Sequence, residues 1–397
     1  MFAVGTVTGM AGAYLCLVLL LLVARLPWLE REVGHPALVR LHRSVAPYAL
    51  VLVLGHVALT TLSYAQAEDR TWWGQLVHLV LHSAWMVPAA AAFVLMMALG
   101  ALSYRRLRER MRYETWWVTH LYFYVAVALS FGHQVALGTL FTDRPALRWF
   151  WGALYVGVAV AIVLCRVVLP LLVSHRHALR VAAVVPEAQD AVSVYLTGTD
   201  LGSLEARGGQ FFQWRFLTRD LWWQAHPYSL SASPHRSWLR ITVKDAGDHS
   251  RGLRRLRVGT RVVVEGPYGA FHAAARRDAP VVAFAAGSGI APVRALLEDL
   301  PPGVATTIVY RVPDHAEALL RDELEALVEQ RRWRLHYLQG SRDQHPLDAE
   351  QVGRLVPGLA AADVYVCGPD GFADAVEAAA RTCGVPPDRV HRESFTL

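Results

Sequence analysis

The 397-residue chain contains few charged side chains, almost no lysine and no paired cysteines. Charged residues make up 18% of it, against about a quarter in an average soluble protein. This composition excludes a disordered chain and argues against an ordinary soluble one. Its four cysteines form no CxxC pair, so nothing in the sequence predicts a zinc site, an iron–sulfur cluster or a disulfide framework.

Basic residues are concentrated in the first half of the chain. Residues 1–180 contain fifteen arginines, no lysine and seven acidic residues, a net charge of +8, so the positive charge of the chain, +6 overall, comes from this half. The arginines separate apolar runs and do not form basic stripes interleaved with aromatic residues on a polar face. The pattern therefore indicates a membrane protein and predicts no nucleic-acid partner.

Five long runs without a charged side chain follow one another: 1–24, 45–65, 76–104, 115–142 and 149–165, the last extended by 167–173. A membrane span needs about 20 mostly apolar residues, so the sequence predicts about five helices in a lipid bilayer. No basic segment precedes the first run, which favours a span over a signal peptide. The loops after the first, third and fifth runs are the arginine-rich ones. Because such loops face the cytoplasm, we expect a plasma-membrane protein with its N-terminus outside and everything after about residue 175 inside.

Four histidines occupy matching positions in the second and fourth runs. His42 and His56 are 14 residues apart and His120 and His133 are 13 apart, so each pair spans roughly 20 Å at 1.5 Å per residue. Ionisable residues within a membrane usually mark a functional pathway, and bis-histidine ligation of haem suits electron transfer. The sequence therefore predicts two haem b groups, one held by His42 and His120, the other by His56 and His133. Hydrogen-bonded histidines between helices are the alternative.

The histidine spacing predicts an irregularity in the fourth run. Fourteen residues return to nearly the same face of a 3.6-residue helix, but thirteen do not. We therefore expect a distortion near Gly132, or ligands that approach from different sides. His78 and His82, near the outer end of the third run, share a helix face. They fit a surface metal or acceptor site, or hydrogen-bonded interface residues.

From residue 179 the pattern changes to short alternating runs, such as 192–196 and 239–243, which predict an antiparallel β-barrel. From about residue 280, apolar strands without alternation at 281–286, 306–311 and 363–367 predict a buried parallel sheet. We therefore expect a multi-domain membrane protein. A transmembrane helical bundle at 1–175 is followed by an antiparallel barrel at 176–275 and an α/β parallel-sheet domain at 276–397.

Two segments of the second half suggest ligand chemistry. Residues 287–292, GSGIAP, follow a predicted strand and open a helix, where glycines and the helix N-terminus favour a pyrophosphate. Pro292 departs from the usual third-glycine pattern. Residues 226–231, HPYSLS, place an aromatic ring beside hydroxyl groups, which could hold an isoalloxazine ring. A plain strand with one buried tyrosine explains this second segment equally well.

The order of the motifs resembles the ferredoxin–NADP reductase module, and the whole chain resembles the NADPH oxidase and ferric reductase superfamily. The segments that carry the resemblance are LHR at 41–43 with the four histidines, HPYSLS at 226–231, GDHS at 247–250, GPYG at 266–269, GSGIAP at 287–292, CGP at 367–369 and ESF at 393–395. The resemblance implies that 176–275 binds FAD and that 276–397 binds NAD(P).

The resemblance also implies roles for single residues. Those expected at FAD are His226, Pro227, Tyr228, Ser229, Ser231, Ser250 and Phe395, and those at the nicotinamide nucleotide are Gly287, Gly289, Pro292, Cys367, Gly368 and Pro369. Ser229, Cys367 and Phe395 are the implied catalytic residues. Arg311 ends one strand and Ser341-Arg342 follows another, which favours NADPH over NADH because guanidinium groups suit a 2′-phosphate. Ordinary solvated arginines are the alternative.

The expected function is electron transfer from cytoplasmic NADPH through FAD and two haems to an acceptor on the outer side. The outer loops, about 66–75 and 138–148, hold no dense ligand cluster, which favours O2, giving superoxide, over a ferric chelate. His78 and His82 keep ferric or cupric reduction open, and a partner protein or a quinone is a further acceptor. Two other classes are a membrane sensor or channel with a nucleotide-binding tail, and a membrane-tethered diaphorase.

Overall fold

The computed structural model describes residues 1–111, 113–141, 144–340 and 344–393. The chain divides into two compact units, Met1–Val167 and Val168–Leu397. The first unit is entirely helical. Its helices are α1 (Phe2–Leu22), α2 (Pro27–Val33), α3 (His35–Ala67), α4 (Trp72–His82), α5 (Met86–Ser103), α6 (Arg105–Arg108), α7 (Tyr113–Leu137) and α8 (Pro145–Val163).

Four helices in the described part of the chain are long and apolar enough to cross a membrane: Phe2–Leu22, Ala37–Ala67, Met86–Ser103 and Pro145–His177. These four helices match the first, second, third and fifth predicted spans, and the fourth stays a prediction. The predicted fourth span is α7, which is 25 residues long but carries two histidines and Gln134 among its apolar residues. The predicted third span is divided at Trp85, whose left-handed backbone (φ 63°) separates α4 from α5.

Small residues bring α1 and α3 into close contact. A Cβ atom at Gly5 would lie 2.8 Å from Thr60 Cγ2, and one at Gly12 would lie 3.0 Å from Val53 Cγ2. Close backbone approach through glycine is a common basis of helix association in lipid, where no hydrophobic driving force acts between helices. As a result α3 packs mainly on α1, while α7 packs mainly on α5.

A π-helical turn at Leu164–Val168 contains the boundary between the units, and α9 (Leu169–His177) is the first helix of the second unit. Six strands follow: β1 (Arg180–Ala188), β2 (Ala191–Thr197), β3 (Phe211–Phe216), β4 (His226–Ser229), β5 (Trp238–Lys244) and β6 (Val262–Tyr268), with α10 (Asp248–Leu253) before β6. They form two three-stranded antiparallel sheets, β1-β2-β5 and β4-β3-β6, around one hydrophobic core. Isolated bridges, Arg180 to Arg261 and Leu230 to Ile241, join neighbouring segments, so the domain is compatible with the predicted barrel but is not a closed one.

The rest of this unit is a five-stranded parallel sheet of order β11-β10-β7-β8-β9. Its strands are β7 (Val281–Ala286), β8 (Thr306–Val312), β9 (Arg334–Gln339), β10 (Asp363–Cys367) and β11 (Val390–Glu393), and its helices are α11 (Ile290–Glu298), α12 (Arg321–Arg331), α13 (Ala349–Leu355) and α14 (Asp370–Thr382). Every residue of β7 and β10 is buried. This burial explains why these strands read as unbroken apolar runs, and it confirms the predicted α/β fold.

Candidate electron-transfer sites

Two pairs of histidine rings connect α3 and α7 within the helical unit. The ring centres of His42 and His120 are 6.2 Å apart, and those of His56 and His133 are 6.4 Å apart. A metal ion bound by two imidazoles makes bonds of about 2 Å, and each nitrogen lies about 1 Å from its ring centre, giving about 6 Å between centres. Directly hydrogen-bonded rings would be nearer about 5 Å. Both separations therefore match one metal ion between the rings of each pair.

Hydrogen bonds from Nδ1 to carbonyl oxygens leave the other ring nitrogen available in two of the four histidines. Nδ1 of His42 donates to the Leu19 carbonyl oxygen (3.1 Å), and Nδ1 of His56 donates to the Gly5 carbonyl oxygen (2.7 Å). Nδ1 of His120 pairs with Ser103 Oγ at 3.1 Å. A carbonyl oxygen only accepts, so Nδ1 of His42 and of His56 holds the proton and Nε2 keeps its lone pair. Metal-bound histidines are oriented in the same way.

The fourth histidine differs from the others in its surroundings. Nδ1 of His133 is buried and makes no hydrogen bond of normal geometry to any described residue. The predicted distortion of the fourth run is not found, because α7 is regular from Tyr113 to Leu137. The irregular position lies in α3, where Pro47 stands between His42 and His56 and cannot donate to the carbonyl of residue 43. The donor set and the ring separations fit two bis-histidine haems.

His78 and His82 of α4 do not form a chelating pair. Their rings stack with centres 4.4 Å apart and an interplanar angle of 24°, and Nδ1 of His82 bonds to the carbonyl of His78 at 3.0 Å. Stacked rings direct their nitrogens side by side and not toward one point. Among the described residues, no cluster of three or more His, Cys, Asp or Glu side chains could hold a metal ion.

A cavity of about 370 Å³ lies beside α7, on the side that faces α5 and α8. Apolar residues make up most of its wall, among them Phe131 and Val135, and Arg148 is its one charged lining residue. Trp85 packs so closely on Gly132 that a Cβ atom there would lie 2.5 Å from the indole Cε3. The cavity therefore borders the same turn of α7 that carries His133.

The predicted flavin motif forms β4, which pairs with β3 through Trp214 and Phe211. The Trp214 indole donates to the Tyr228 carbonyl at 2.8 Å. The Tyr228 hydroxyl lies 2.8 Å from Nδ1 of His249, whose ring centre is 3.7 Å from that of His226. The motif thus carries three neighbouring rings, a flat aromatic group of the kind that packs against an isoalloxazine ring.

Burial shifts the pKa of two members of this ring cluster. It lowers the pKa of His249 to about 3, helped by the charge of His226, and it raises the pKa of the Tyr228 phenol. His249 was not predicted as a site residue. It lies next to Ser250 in the segment at 247–250, so its position was visible in the sequence, but its contact with Tyr228 was not.

The three predicted flavin serines have different surroundings. Ser229 ends β4 and is 7% exposed. Ser250 accepts from the Ala246 amide (2.8 Å) and donates to the Gly247 carbonyl (2.9 Å), so it holds the loop before α10 together. Ser231 is fully buried, and its Oγ lies 3.1 Å from Arg240 Nε and 2.8 Å from Thr242 Oγ1. Ser229 is therefore the serine with a hydroxyl free of such a network.

The predicted nucleotide turn contains two glycines that serve different purposes. Gly287 has a positive φ of 54°, and a Cβ atom there would meet nothing within 4 Å, which leaves space for a ligand. Gly289 instead packs on the carbonyl group of Cys367, whose carbon would lie 2.6 Å from a Cβ atom. Gly368 fits between Ala286 and the Phe372 ring in the same way. The turn therefore joins the ends of β7 and β10, where Pro369 precedes α14.

Pro292 is buried in the first turn of α11. The amide groups of a first turn have no partner within the helix, so proline removes nothing there.

Cys367 and Glu393 lie next to each other at the ends of β10 and β11. The Cys367 thiol is fully buried, and burial together with the charge of Glu393 raises its pKa well above the usual value. Burial also raises the pKa of Glu393 to about 8. Glu393 was not predicted as a site residue. Its position two residues before Phe395 was the available signal.

Of the three residues predicted to bind the 2′-phosphate, the structure describes one. Arg311, at the end of β8, contacts the carbonyl of His345, and its guanidinium carbon lies 5.8 Å from the centre of the Phe372 ring. Ser341, Arg342 and Phe395 lie outside the described residues. Their predicted roles stay predictions.

Comparison with known families divides the chain into the same three parts. Residues 8–131 match the ferric reductase like transmembrane component, 177–272 match an FAD-binding domain and 284–378 match an oxidoreductase NAD-binding domain. The three matches follow one another in the order that the sequence motifs predicted.

Individual relatives resemble the second half of the chain. A flavohemoprotein of Chromobacterium violaceum is 31% identical over 241 residues, covering 54% of this chain and 59% of the relative. The ferredoxin reductase component of 3-ketosteroid-9-alpha-monooxygenase from Rhodococcus rhodochrous is 32% identical over 228 residues, covering 55% and 64%. The chain thus matches about three fifths of the length of these relatives. The flavohemoglobin structure from Malassezia yamatoensis has a TM-score of 0.51 at 18% identity, covers 99% of this chain and 97% of its own, and is similar in fold alone.

Proposed function

We propose that this chain, which has the ferric reductase and NADPH oxidase-type architecture, is a membrane oxidoreductase that carries electrons from cytoplasmic NADPH to an acceptor on the outer face. The observation that carries this proposal is the pair of ring separations, 6.2 and 6.4 Å, at two levels of the helical unit. A sensor, a channel or a diaphorase needs no such arrangement.

The four histidines hold two haem b groups in this proposal. His42 and His120 bind the inner one, and His56 and His133 bind the outer one. The bound cofactors supply the conversion of a two-electron hydride donor into single electrons, which haem iron can accept. The chain itself orients the imidazoles, through the Leu19 and Gly5 carbonyls and Ser103 described above.

In the second unit, Tyr228 and Ser229 present a ring and a hydroxyl to FAD, and residues 287–289 receive the nucleotide pyrophosphate. Cys367 and Phe395 flank the nicotinamide and the flavin. Arg311 with Ser341 and Arg342 favours NADPH, because guanidinium groups suit a 2′-phosphate. The basic loops orient the C-terminal half toward the cytoplasm, where NADPH is available.

Dioxygen, reduced to superoxide, is the acceptor we favour. The cavity beside α7 is apolar, which suits a neutral diatomic molecule, and Arg148 at its wall complements the charge of an anionic product. Reduction of a ferric species is the second candidate, supported by the name of the family that matches residues 8–131.

The test adds NADPH under anaerobic conditions to purified protein that contains FAD and haem, and follows haem reduction by absorption. We expect both haems to be reduced, and we expect superoxide dismutase to suppress dye reduction once air is admitted. His42→Ala should abolish haem reduction while flavin reduction persists, whereas His78→Ala serves as the matched control. Haem that stays oxidised in the parent protein would overturn the proposal. Dye reduction that the dismutase does not suppress would show that the acceptor is not O2.

A further inference from the structure

One carboxylate neutralises two arginines that come from different parts of the reductase unit. Arg240 of β5 is 3% exposed and makes a bidentate ion pair with Glu323 of α12, with distances of 2.6 and 2.8 Å. Nε of Arg294, from α11, lies 2.9 Å from Oε2 of the same carboxylate, as an ion pair without hydrogen-bond alignment. Glu323 therefore joins the antiparallel domain to the helices of the parallel-sheet domain.

Both arginines also contact Ser231, the last residue of the flavin motif at 226–231. Arg240 binds Ser231 through Nε to Oγ (3.1 Å) and through Nη2 to the carbonyl oxygen (2.9 Å). Arg294 Nη1 lies 3.2 Å from that carbonyl oxygen. Ser231 is two residues beyond Ser229, and α11 begins directly after the nucleotide turn. The network thus links the segment proposed to hold the flavin with the helix that follows the proposed pyrophosphate site.

Further contacts fix the other end of α11 to the same segment. The Ser233 amide donates to Glu298 Oε2 at 2.8 Å, and the Ser233 hydroxyl bonds to Asp299. Asp299 Oδ2 also accepts from the Gly208 amide at 2.5 Å. α11 is thus held to the segment after β4 at its middle, through Arg294, and at its C-terminal end, through Glu298 and Asp299.

We propose that Glu323 is a positioning residue that sets the separation between the flavin and the nicotinamide nucleotide, and hence the rate of hydride transfer. This inference rests on the proposed function. Within the described part of the chain Glu323 contacts neither Ser229 nor the turn at 287–289, so it acts through Arg240 and Arg294. Removing its charge would leave a buried, unpaired guanidinium, which destabilises the arrangement that it holds.

The carboxylate is ionised in this setting. Burial opposes its ionisation, but the hydrogen bond from Arg240 and the charges of Arg240 and Arg294 outweigh burial and lower the pKa of Glu323. Reactions between bound groups depend steeply on geometry, and a displacement of about 1 Å can reduce the rate about 100-fold. A small rearrangement of α11 is therefore enough to slow hydride transfer without emptying the cofactor sites.

The test measures anaerobic flavin reduction by NADPH in a stopped-flow instrument, with full-length protein and the rate expressed per bound FAD. In Glu323→Gln we expect the limiting rate to fall at least about tenfold, while the Kd for NADPH changes less than threefold. We also expect a larger primary isotope effect with NADPH deuterated at the transferred position. Reduction by dithionite should be unchanged. Glu325→Gln, on the same helix, is the matched control, because its carboxylate contacts only Tyr337 and His315 in the described part of the chain.

Two additional variants keep the inference falsifiable if Glu323→Gln does not fold. Glu323→Asp keeps the charge but shortens its reach, so an intermediate rate is expected. Arg240→Met combined with Glu323→Met removes both members of this ion pair and leaves Arg294 paired with Glu298, and its rate should stay low even where thermal stability recovers. A limiting rate within twofold of the parent in any folded variant of these three would overturn the positioning role. Absence of flavin reduction in the parent protein would instead refute the proposed function.

Discussion

Substitution of Gly9 by alanine tests the proposed outer haem, which it should remove while leaving the proposed inner haem in place. Gly9 of α1 faces the imidazole of His56, whose Nδ1 bonds to the Gly5 carbonyl. An alanine Cβ would lie 2.8 Å from both Cγ and Cε1 of that ring and nearer still to Nδ1. The ring cannot retain its position once this methyl group is present.

The size of the effect follows from these distances. Ordinary contacts to a Cβ atom begin at 3.4 Å, so the imidazole must withdraw by at least about 0.6 Å. Metal–ligand distances tolerate only about 0.2 Å. Loss of the Gly5 bond alone typically lowers metal affinity about 10- to 100-fold, or about 1.4 to 2.7 kcal/mol. Both consequences fall on His56 and neither involves His42, which bonds to Leu19.

The assay is the haem content per protein after purification, together with low-temperature EPR of the oxidised protein. We expect Gly9→Ala to lose one of two low-spin signals and about half of the haem. Gly55→Ala is the control, because Gly55 precedes His56 in α3 and a Cβ there meets nothing within 4 Å. It gains the same helix propensity without touching the ring. Full haem content with two unchanged signals in Gly9→Ala would refute the assignment of His56 as a ligand.

Two further predictions concern the reductase unit. Glu393 has its pKa raised from 4.5 to about 8 by burial, so its stabilising contribution is complete below about pH 4.5 and is lost as the pH rises through 8. The loss of this contribution amounts to about 5 kcal/mol. The melting temperature of the parent protein should therefore fall between pH 6 and pH 9, and Glu393→Gln should make this fall smaller. Parallel curves of melting temperature against pH for the two proteins would contradict the prediction. Gly289→Ala places a methyl group against the Cys367 carbonyl and should raise the KM for NADPH about tenfold. Gly353→Ala is the control, because a Cβ atom there meets only Cys383 Sγ, at 4.0 Å, and should leave the KM unchanged. Equal KM values for the two variants would contradict the close packing of Gly289 on Cys367.

Periodicity was sufficient to predict the sheets of the second unit. The strands at 281–286 and 363–367 were predicted with the bounds that the structure has, because a buried parallel strand is an unbroken apolar run. The antiparallel strands were predicted from their alternation. They form two three-stranded sheets and not a closed barrel, because closure depends on pairing between distant segments. In the helical unit, the turn at Trp85 interrupts a run that contains no charge and no turn-forming pair to signal it.

Single functional residues were harder to predict than the elements that carry them. The four histidines could be paired from depth alone, since sequence separation converts directly into rise along a helix. Glu393 and His249 could not be predicted in this way. Glu393 lies beside Cys367 because of strand pairing, and His249 contacts Tyr228 because of loop closure. Ser231 shows the reverse difficulty. Its motif suggests a flavin ligand, while its hydroxyl is occupied by Arg240 and Thr242.

The unequal spacing of the histidines, which the sequence presented as a difficulty, is accommodated without distorting α7. Thirteen residues in a regular α7 place His120 and His133 on different faces, yet both rings reach partners on α3 at nearly equal separations. The two ring pairs are thus compatible with ligands that approach from different sides, the second of the two sequence-based alternatives, which stays a prediction. Pro47 lies between His42 and His56 and has no amide proton to donate within α3, so α3 carries the irregular position that the histidine spacing predicted for α7.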